Sequence, residues 1–204
     1  MGTDPFPFAS SALAMIGYFL IFAALHSLLA DPRFKRRARS ALRDGMDRWY
    51  RLAYNVLALA MMLPFFYLLA LIPDRVLYAV PAPWSWLMMA GQVLAALGLL
   101  LSLRQTGISY LQGLAELQGK TGSESLVRDG FYCHLRNPLF LFGALFLWLS
   151  PIMTQNLLAF NVLAMAYFYI GARHEERSLR EEFGQEYEEY REQVPMFIPR
   201  FRCR

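Results

Sequence analysis

Two segments of the chain carry the residue types that could do chemistry. The first is the loop from Leu126 to Phe140, and the second is the charged stretch from Arg173 to Tyr190. In the loop, Gly130 permits a tight turn, and Pro138 suits the first turn of a helix, where no backbone N–H is needed. A loop that closes onto a helix start leaves backbone groups free to hold the polar edge of a ligand. A plain turn at a membrane surface, with Arg136 among the headgroups, is the alternative interpretation.

The second segment begins where the last apolar run of the sequence ends. On a helix, one largely apolar-aromatic stripe would contain Glu176, Leu179, Phe183, Tyr187 and Tyr190. An amphipathic helix docked under a helical bundle explains this stripe without any catalytic role. However, Arg173 and Glu176 lie at the end of the apolar run, where a charge is costly unless it is paired or hydrated. We therefore predict a functional site at this position.

The apolar runs that must position these segments predict five transmembrane helices. Hydrophobic residues make up 56% of the 204-residue chain, and the charged 18% is concentrated in blocks between the runs. The predicted spans cover residues 8–30, 52–72, 84–103, 138–153 and 156–172. The last two are short for roughly 30 Å of hydrocarbon, so we expect a tight helical hairpin. The expected fold is all-α: one integral membrane domain over residues 1–204, with site segments at 104–137 and 173–204 and an amphipathic carboxyl-terminal helix.

The distribution of basic residues predicts the orientation of this bundle. Of 20 Lys and Arg residues, 19 lie in 31–51, 104–136 and 173–204, and the exception is Arg75. Five spans place those three segments on the same face of the membrane. The positive-inside rule then puts the amino terminus outside, and the carboxyl terminus and the site in the cytoplasm. Because topology and contact with anionic membrane lipid explain the positive charge, no nucleic-acid partner is expected.

The cysteines and histidines predict neither a disulfide framework nor a metal site. Cys133 and Cys203 are far apart and have no CxxC spacing. Both lie beside arginine-rich segments assigned to the cytoplasm, so we expect reduced thiols. The three histidines, His26, His134 and His174, are scattered, and with two distant cysteines they do not form a zinc pattern. His26 is interpreted as a packing or interfacial residue.

The ordered set of motifs resembles the integral membrane methyltransferases. The chain contains L-V-x-x-G-x-Y from Leu126, R-N-P-x-F from Arg136 and, after an apolar hairpin, R-x-E-E-x-x-L-x-x-x-F-G-x-x-Y-x-x-Y-x-x-x-V-x-x-x-I-P from Arg173 to Pro199. This order is similar to that of isoprenylcysteine carboxyl methyltransferases, phospholipid N-methyltransferases and bacterial methanethiol S-methyltransferases. The segment from His26 and the basic loop after it resemble the thiol methyltransferase branch and NnrU-type proteins.

The resemblance implies S-adenosylmethionine bound in a cytoplasm-facing pocket. It assigns cofactor contacts to Gln118, Glu124, Ser125, Leu126, Val127, Tyr132, Asn137, Pro138, Leu139 and Phe140. It assigns catalytic roles to Arg173, which would face the acceptor, and to Glu176, at the junction of cofactor and acceptor. The commonest family pattern has histidine in place of Asn137 and tyrosine in place of Phe140. Asparagine keeps a hydrogen-bonding group, whereas phenylalanine lacks the hydroxyl.

The expected chemistry is methyl transfer to a small or lipophilic acceptor that enters from the membrane. Transfer from a sulfonium is an in-line displacement, so the enzyme mainly aligns donor and nucleophile and excludes water. A thiol or amine must also lose a proton, for which Glu176 is a candidate base. A carboxylate needs no base and would be oriented by Arg173.

Several alternatives remain open at this point. The acceptor is an isoprenylcysteine carboxylate, a thiol or a phospholipid amine, and the resemblance near the amino terminus favours sulfur. An NADPH-dependent enzyme of the sterol-reductase type is a second class of function. An NnrU-like haem-binding or structural membrane protein is a third, and it would use the region of His26.

Overall fold

The computed structural model describes residues 8–31, 34, 37, 46–72, 74–106, 125–201 and 203, and these residues are mostly helical. The α-helices are α1 (Phe8–Ala30), α2 (Met46–Leu71), α3 (Trp84–Thr106), α4 (Pro138–Trp148), α5 (Gln155–Phe183) and α6 (Gln185–Gln193). Two short strands, β1 (Val76–Ala79) and β2 (Ile152–Thr154), pair in a sheet, and a 3₁₀ turn at Gly130–Cys133 precedes α4. The predicted helical class is confirmed.

The predicted membrane spans coincide with helices, but their number is not established. Within the described ranges, α3 is the one helix that is long and apolar enough to cross a membrane by length and composition. Shorter apolar helical stretches cover Leu13–Leu29, Leu52–Tyr67 and Pro138–Trp148. The bundle of five spans therefore stays a prediction.

Helix α5 runs past the predicted end of the fifth span at residue 172 and ends at Phe183. The residues after 172 are mostly Arg, Glu and Leu, which have high helix propensity, so the change from apolar to charged residues does not end the helix. Gly184 then adopts a φ of 53°, in the left-handed region that glycine enters easily, and α6 follows. The apolar-aromatic stripe predicted on one helix is thus divided between two.

The two strands are absent from the sequence-based expectations. Strand β1 lies between the predicted spans 52–72 and 84–103, and β2 lies where the predicted spans 138–153 and 156–172 meet. Next to the strands, the backbone N–H of Val80 donates to the carbonyl of Pro151 at 2.9 Å. Valine and tyrosine favour strands, but four residues are too few for a recognisable alternation of polar and apolar positions.

The described residues form two compact units. The first contains α1, α2 and the start of α5 through Leu163. In its core, Met15 and Phe65 are each 1% exposed, and the ring of Phe160 lies 5.5 Å from that of Phe65. The prediction of a single membrane domain concerns the whole chain and stays a prediction.

The second unit contains α3, the loop before α4, α4 itself, the rest of α5 and α6. Glycines on α3 allow α4 to approach closely. A Cβ atom on Gly98 would lie 2.6 Å from the ring of Phe142, and one on Gly91 would lie 2.8 Å from Leu149. This close packing holds the amino-terminal end of α4, at Pro138, in a defined position.

Candidate active site

The loop before α4 is attached to the end of α3. Gly130 has a φ of 62°, and the side chain of Gln105 occupies the space that a Cβ atom on this glycine would need. The Oε1 atom of Gln105 accepts a hydrogen bond from the backbone N–H of Phe131 at 3.2 Å. The tight turn predicted at Gly130 is confirmed, and it is specific for glycine because both the backbone angle and the available space exclude a side chain.

The same loop is also attached to α6. The Tyr190 hydroxyl donates to the backbone carbonyl of Tyr132 at 2.6 Å, and both side chains are buried. Arg128 forms an ion pair with Glu186 at 2.8 Å and lies over the Tyr190 ring. Burial raises the pKa of Tyr132, and the Glu175 carboxylate raises it further, so this phenol stays protonated.

A buried ion pair joins the loop to α5. The Nε and Nη2 atoms of Arg136 lie 2.8 and 2.6 Å from Oε1 of Glu176, and each side chain is only 10% exposed. The Nη1 atom of Arg136 donates to the carbonyls of Arg191 and Val194 at 2.9 and 3.0 Å. The alternative interpretation of the loop, as a plain turn, placed Arg136 among the headgroups. One feature of the sequence could have indicated the pairing. Glu176 is a carboxylate at the end of an apolar run, and such a carboxylate needs a cationic partner.

Asn137 completes this polar cluster. Its side chain is buried, and Nδ2 lies 3.5 Å from Oε1 of Glu176 and 3.4 Å from the carbonyl of Met196. Pro138 follows at the first turn of α4, as predicted. The fold thus brings together Asn137 and Glu176, which are 39 residues apart in the sequence.

Tyr187 contributes a buried hydroxyl beside the cluster. The side chain is 0% exposed, and its hydroxyl has no hydrogen-bond partner among the described residues. Burial and the nearby Glu176 carboxylate raise the pKa of this phenol, so it remains a donor. A buried polar group without a partner costs about 1–3 kcal/mol, so a bound ligand that accepts this bond is favoured. Sequence analysis assigned Tyr187 only to the apolar stripe.

Glu175 is a second carboxylate at this position, and sequence analysis did not identify it. Its side chain is half-buried on α5, next to Glu176. Burial, and then the charge of Glu176, raise the pKa of Glu175 from 4.5 to about 7. A carboxyl group with a pKa near neutrality can both accept and release a proton under physiological conditions.

Comparison with known proteins identifies the family. The chain is 31% identical over 195 residues to methanethiol S-methyltransferase 2 of Bradyrhizobium diazoefficiens, covering 90% of this chain and 71% of that protein. It is 30% identical over 207 residues to methanethiol S-methyltransferase of Pseudomonas deceptionensis, covering 98% and 78%. The chain belongs to the methanethiol S-methyltransferase family. The family's enzyme from Crocosphaera subtropica is 27% identical over 202 residues, covering 93% and 75%. No family model and no solved structure match the chain.

Membership of the methanethiol S-methyltransferase family confirms the resemblance to methyltransferases drawn from the motifs. The alignment to the Pseudomonas deceptionensis protein covers 98% of the chain, so it includes both the loop before α4 and the carboxyl-terminal stretch. The chain is therefore a methyltransferase. The location of its site at these two segments stays a prediction.

The other cofactor contacts implied by the family resemblance lie in the loop and in the first turn of α4. Ser125 is exposed, and Leu126 and Val127 are half-buried. In α4, Leu139 and Phe140 are half-buried. These five assignments stay predictions.

Phe140 and Arg173 are not among the described residues that form the cluster around Glu176. Phe140 makes an apolar contact instead, with its ring 5.6 Å from that of Phe168. Arg173 is exposed on α5, so its role toward the acceptor stays a prediction. Gln118 and Glu124 lie outside the described residues.

The cysteines differ from their expected state. Cys133 and Cys203 are joined by a disulfide, with their Cα atoms 5.3 Å apart. The prediction of two separate thiols is therefore wrong. The physical reason is that the chain after α6 returns to the loop, where the backbone N–H of Arg200 donates to the carbonyl of His134 at 2.9 Å. A separation of 70 residues hides this contact in the sequence.

His26 has the packing role that was expected of it. Its Nε2 atom lies 2.5 Å from the hydroxyl of Tyr54, and its ring stacks on Phe22 with centroids 5.3 Å apart. These contacts join α1 to α2 within the first unit.

Proposed function

We propose that this protein is an integral membrane enzyme that transfers the methyl group of S-adenosylmethionine to the sulfur of a small thiol. The observation that carries this proposal is the buried cluster of Arg136, Asn137 and Glu176 in a chain of the methanethiol S-methyltransferase family. The names of the relatives specify methanethiol, and this is the acceptor that we propose here.

The cluster fits the polar groups of S-adenosylmethionine, which carries an ammonium, a carboxylate and ribose hydroxyls. The Tyr187 hydroxyl is a buried donor without a partner among the described residues, and it lies near the negative charge of Glu176. We propose that Tyr187, Glu176 and Asn137 hold polar groups of the cofactor, and that Leu126, Val127, Tyr132, Leu139 and Phe140 line the rest of its pocket. When bound, the cofactor would supply a methyl group already activated as a sulfonium.

A thiol acceptor must lose its S–H proton, and Glu175 suits this task better than Glu176. The Glu176 carboxylate is engaged by Arg136 at 2.6 Å, which holds it in a fixed position. Glu175 has a pKa raised to about 7, close to the operating pH at which a general base is most effective. We propose that Glu175 takes the S–H proton as the acceptor sulfur becomes methylated. The bound cofactor would supply the methyl group, and its own sulfur would keep the electrons of the broken bond.

The surface of α3 supports a location in the membrane. Trp84 and Trp86 are 63% and 68% exposed at its amino-terminal end, and Leu94 is 67% exposed further along. A row of exposed apolar residues of this size is unfavourable in water but suits lipid. Together with the charge distribution, it supports an outside amino terminus and a cytoplasmic site, with lipid around the spans.

The first test is calorimetric titration of the detergent-purified protein with S-adenosylmethionine and with S-adenosylhomocysteine. We expect saturable binding of both, weakened about tenfold or more in Asn137→Ala, because a buried hydrogen bond to a charged group contributes about 1.5–3 kcal/mol. Glu181→Ala, which changes an exposed carboxylate on the same helix, is the matched control and should bind normally. Absence of binding to either ligand in folded protein would refute the proposal.

The second test identifies the acceptor. Purified protein is incubated with S-adenosylmethionine and methanethiol, and dimethyl sulfide is measured in the headspace. Phosphatidylethanolamine and an isoprenylcysteine are offered in parallel, with methyl incorporation as the readout. Dimethyl sulfide as the main product supports the thiol assignment. Preferential methylation of the amine or the carboxylate would contradict it.

A further inference from the structure

The two cysteine sulfurs and one histidine form a cluster outside the proposed cofactor site. Cys133 lies at the end of the 3₁₀ turn, His134 follows it, and Cys203 comes from the segment after α6. One potential ligand atom from each residue lies within 4.8 Å of the other two. Two sulfurs and an imidazole nitrogen are the donor set that zinc and related ions prefer.

The backbone orients the imidazole of His134 as a ligand. Its Nδ1 atom lies 2.6 Å from the carbonyl oxygen of Arg200. Because a carbonyl oxygen only accepts hydrogen bonds, Nδ1 carries the proton, and Nε2 keeps its lone pair. The sulfur of Cys203 lies beside the ring, 3.4 Å from Nε2 and 3.8 Å from Nδ1. Histidines that bind metals are usually held in this way, with the second ring nitrogen donating to a backbone carbonyl.

We propose that the reduced form of this cluster is a binding site for one zinc ion, with Cys133, His134 and Cys203 as ligands. The structure shows the oxidised form, in which the two sulfurs are bonded to each other. A dithiol reductant supplies two electrons and two protons, which convert the disulfide into two thiols, and the reductant becomes a disulfide. Binding of Zn²⁺ then releases the two thiol protons. Three protein ligands leave the fourth tetrahedral position for water.

The site is accessible, and it connects two segments of the chain. Cys133 lines an open cavity of about 840 Å³, together with Tyr190, Val194 and Arg200. A metal ion can therefore reach the sulfurs without any rearrangement of the helices. Either the disulfide or the metal would hold the carboxyl-terminal segment on the loop that contains Tyr132.

The test compares oxidised and reduced protein without any substitution. Detergent-purified protein is reduced with a phosphine, which takes up the oxygen of one water and leaves two thiols, and is then dialysed against Zn²⁺. We expect about one zinc per chain in the reduced protein and binding at least about tenfold weaker in the oxidised protein. Co²⁺ in place of Zn²⁺ should give a thiolate-to-metal absorption band, which must come from these residues because the chain has two cysteines.

Substitutions separate this site from incidental metal binding. His134→Ala should weaken zinc binding at least about tenfold, since it removes one of three ligands. His174→Ala changes an exposed histidine on α5 and should have no effect. Reduced, folded protein that binds no Zn²⁺, or a zinc affinity that His134→Ala leaves unchanged, would overturn the proposal. Neither readout depends on methyl transfer, so the outcome is independent of the proposed function.

Discussion

The buried ion pair between Arg136 and Glu176 allows a quantitative prediction about stability. Both side chains are 10% exposed, and the shortest distance between them is 2.6 Å. Removing one partner of a buried pair leaves an uncompensated charge, at a cost of about 3–5 kcal/mol. In Glu176→Ala, Arg136 keeps its bonds to the carbonyls of Arg191 and Val194. We therefore expect Glu176→Ala to lower the free energy of unfolding by an amount near the lower limit, about 3 kcal/mol.

Thermal unfolding in detergent, followed by circular dichroism, measures this loss. For a chain of this length, 1 kcal/mol corresponds to about 2–4 °C, so Glu176→Ala should lower Tm by about 6–12 °C. The control is Glu181→Ala, an exposed position on α5, which should change the free energy of unfolding by no more than about 0.5 kcal/mol.

The double variant Arg136→Leu/Glu176→Leu decides whether the ion pair is the cause. It removes both charges, so no unpaired charge stays buried, and replacement of a whole buried pair by apolar residues is often neutral. We expect the double variant to be more stable than Glu176→Ala alone. The free energies of unfolding of Arg136→Leu and Glu176→Leu are measured alongside. If the double variant loses as much stability as these two single variants together, the reasoning is refuted.

Three further predictions follow from the site. Tyr187→Phe should leave Tm unchanged but weaken S-adenosylmethionine binding about tenfold in calorimetry, because its hydroxyl has no partner among the described residues. Tyr190→Phe loses a hydrogen bond of 2.6 Å and should lower the free energy of unfolding by about 1 kcal/mol. Equal effects of the two substitutions on Tm would contradict this prediction. Gly130→Ala should cost at least about 1–2 kcal/mol in thermal unfolding, whereas Gly17→Ala, which meets nothing within 4 Å, should cost nothing. Folding raises the pKa of Glu175 from 4.5 to about 7, so the folded state binds more protons than the unfolded state between these pH values. Tm should therefore fall as the pH rises through this range. A Glu175→Gln variant whose Tm depends on pH in the same way would argue against the shift.

Local features of the sequence predict much of the fold and the class of chemistry. The apolar runs predict α1 and α3 because a continuous run of this length favours a helix. Pro138 marks the start of α4 because its ring suits the first helical turn, and Gly130 marks the turn before it. The ordered motifs resemble the membrane methyltransferases, and the similarity to methanethiol S-methyltransferases confirms that family.

The partners of the key side chains were decided by the tertiary structure. The sequence indicates that Glu176 needs a cation but does not distinguish Arg136, 40 residues away, from Arg173 on the same helix. Burial makes the choice, because the Arg136 side chain is only 10% exposed whereas Arg173 is exposed. The raised pKa of Glu175 has the same origin, since it depends on burial and on a neighbouring charge.

The clearest difference between the sequence-based prediction and the tertiary structure concerns the cysteines. Spacing alone predicts two unrelated thiols at Cys133 and Cys203, because the sequence carries no measure of distance across 70 residues. The return of the chain after α6 places both beside His134, through backbone hydrogen bonds that any sequence can form. The sequence by itself therefore determines which residues are available for chemistry, and folding decides which of them meet, because burial and long-range contacts exist only in the folded chain.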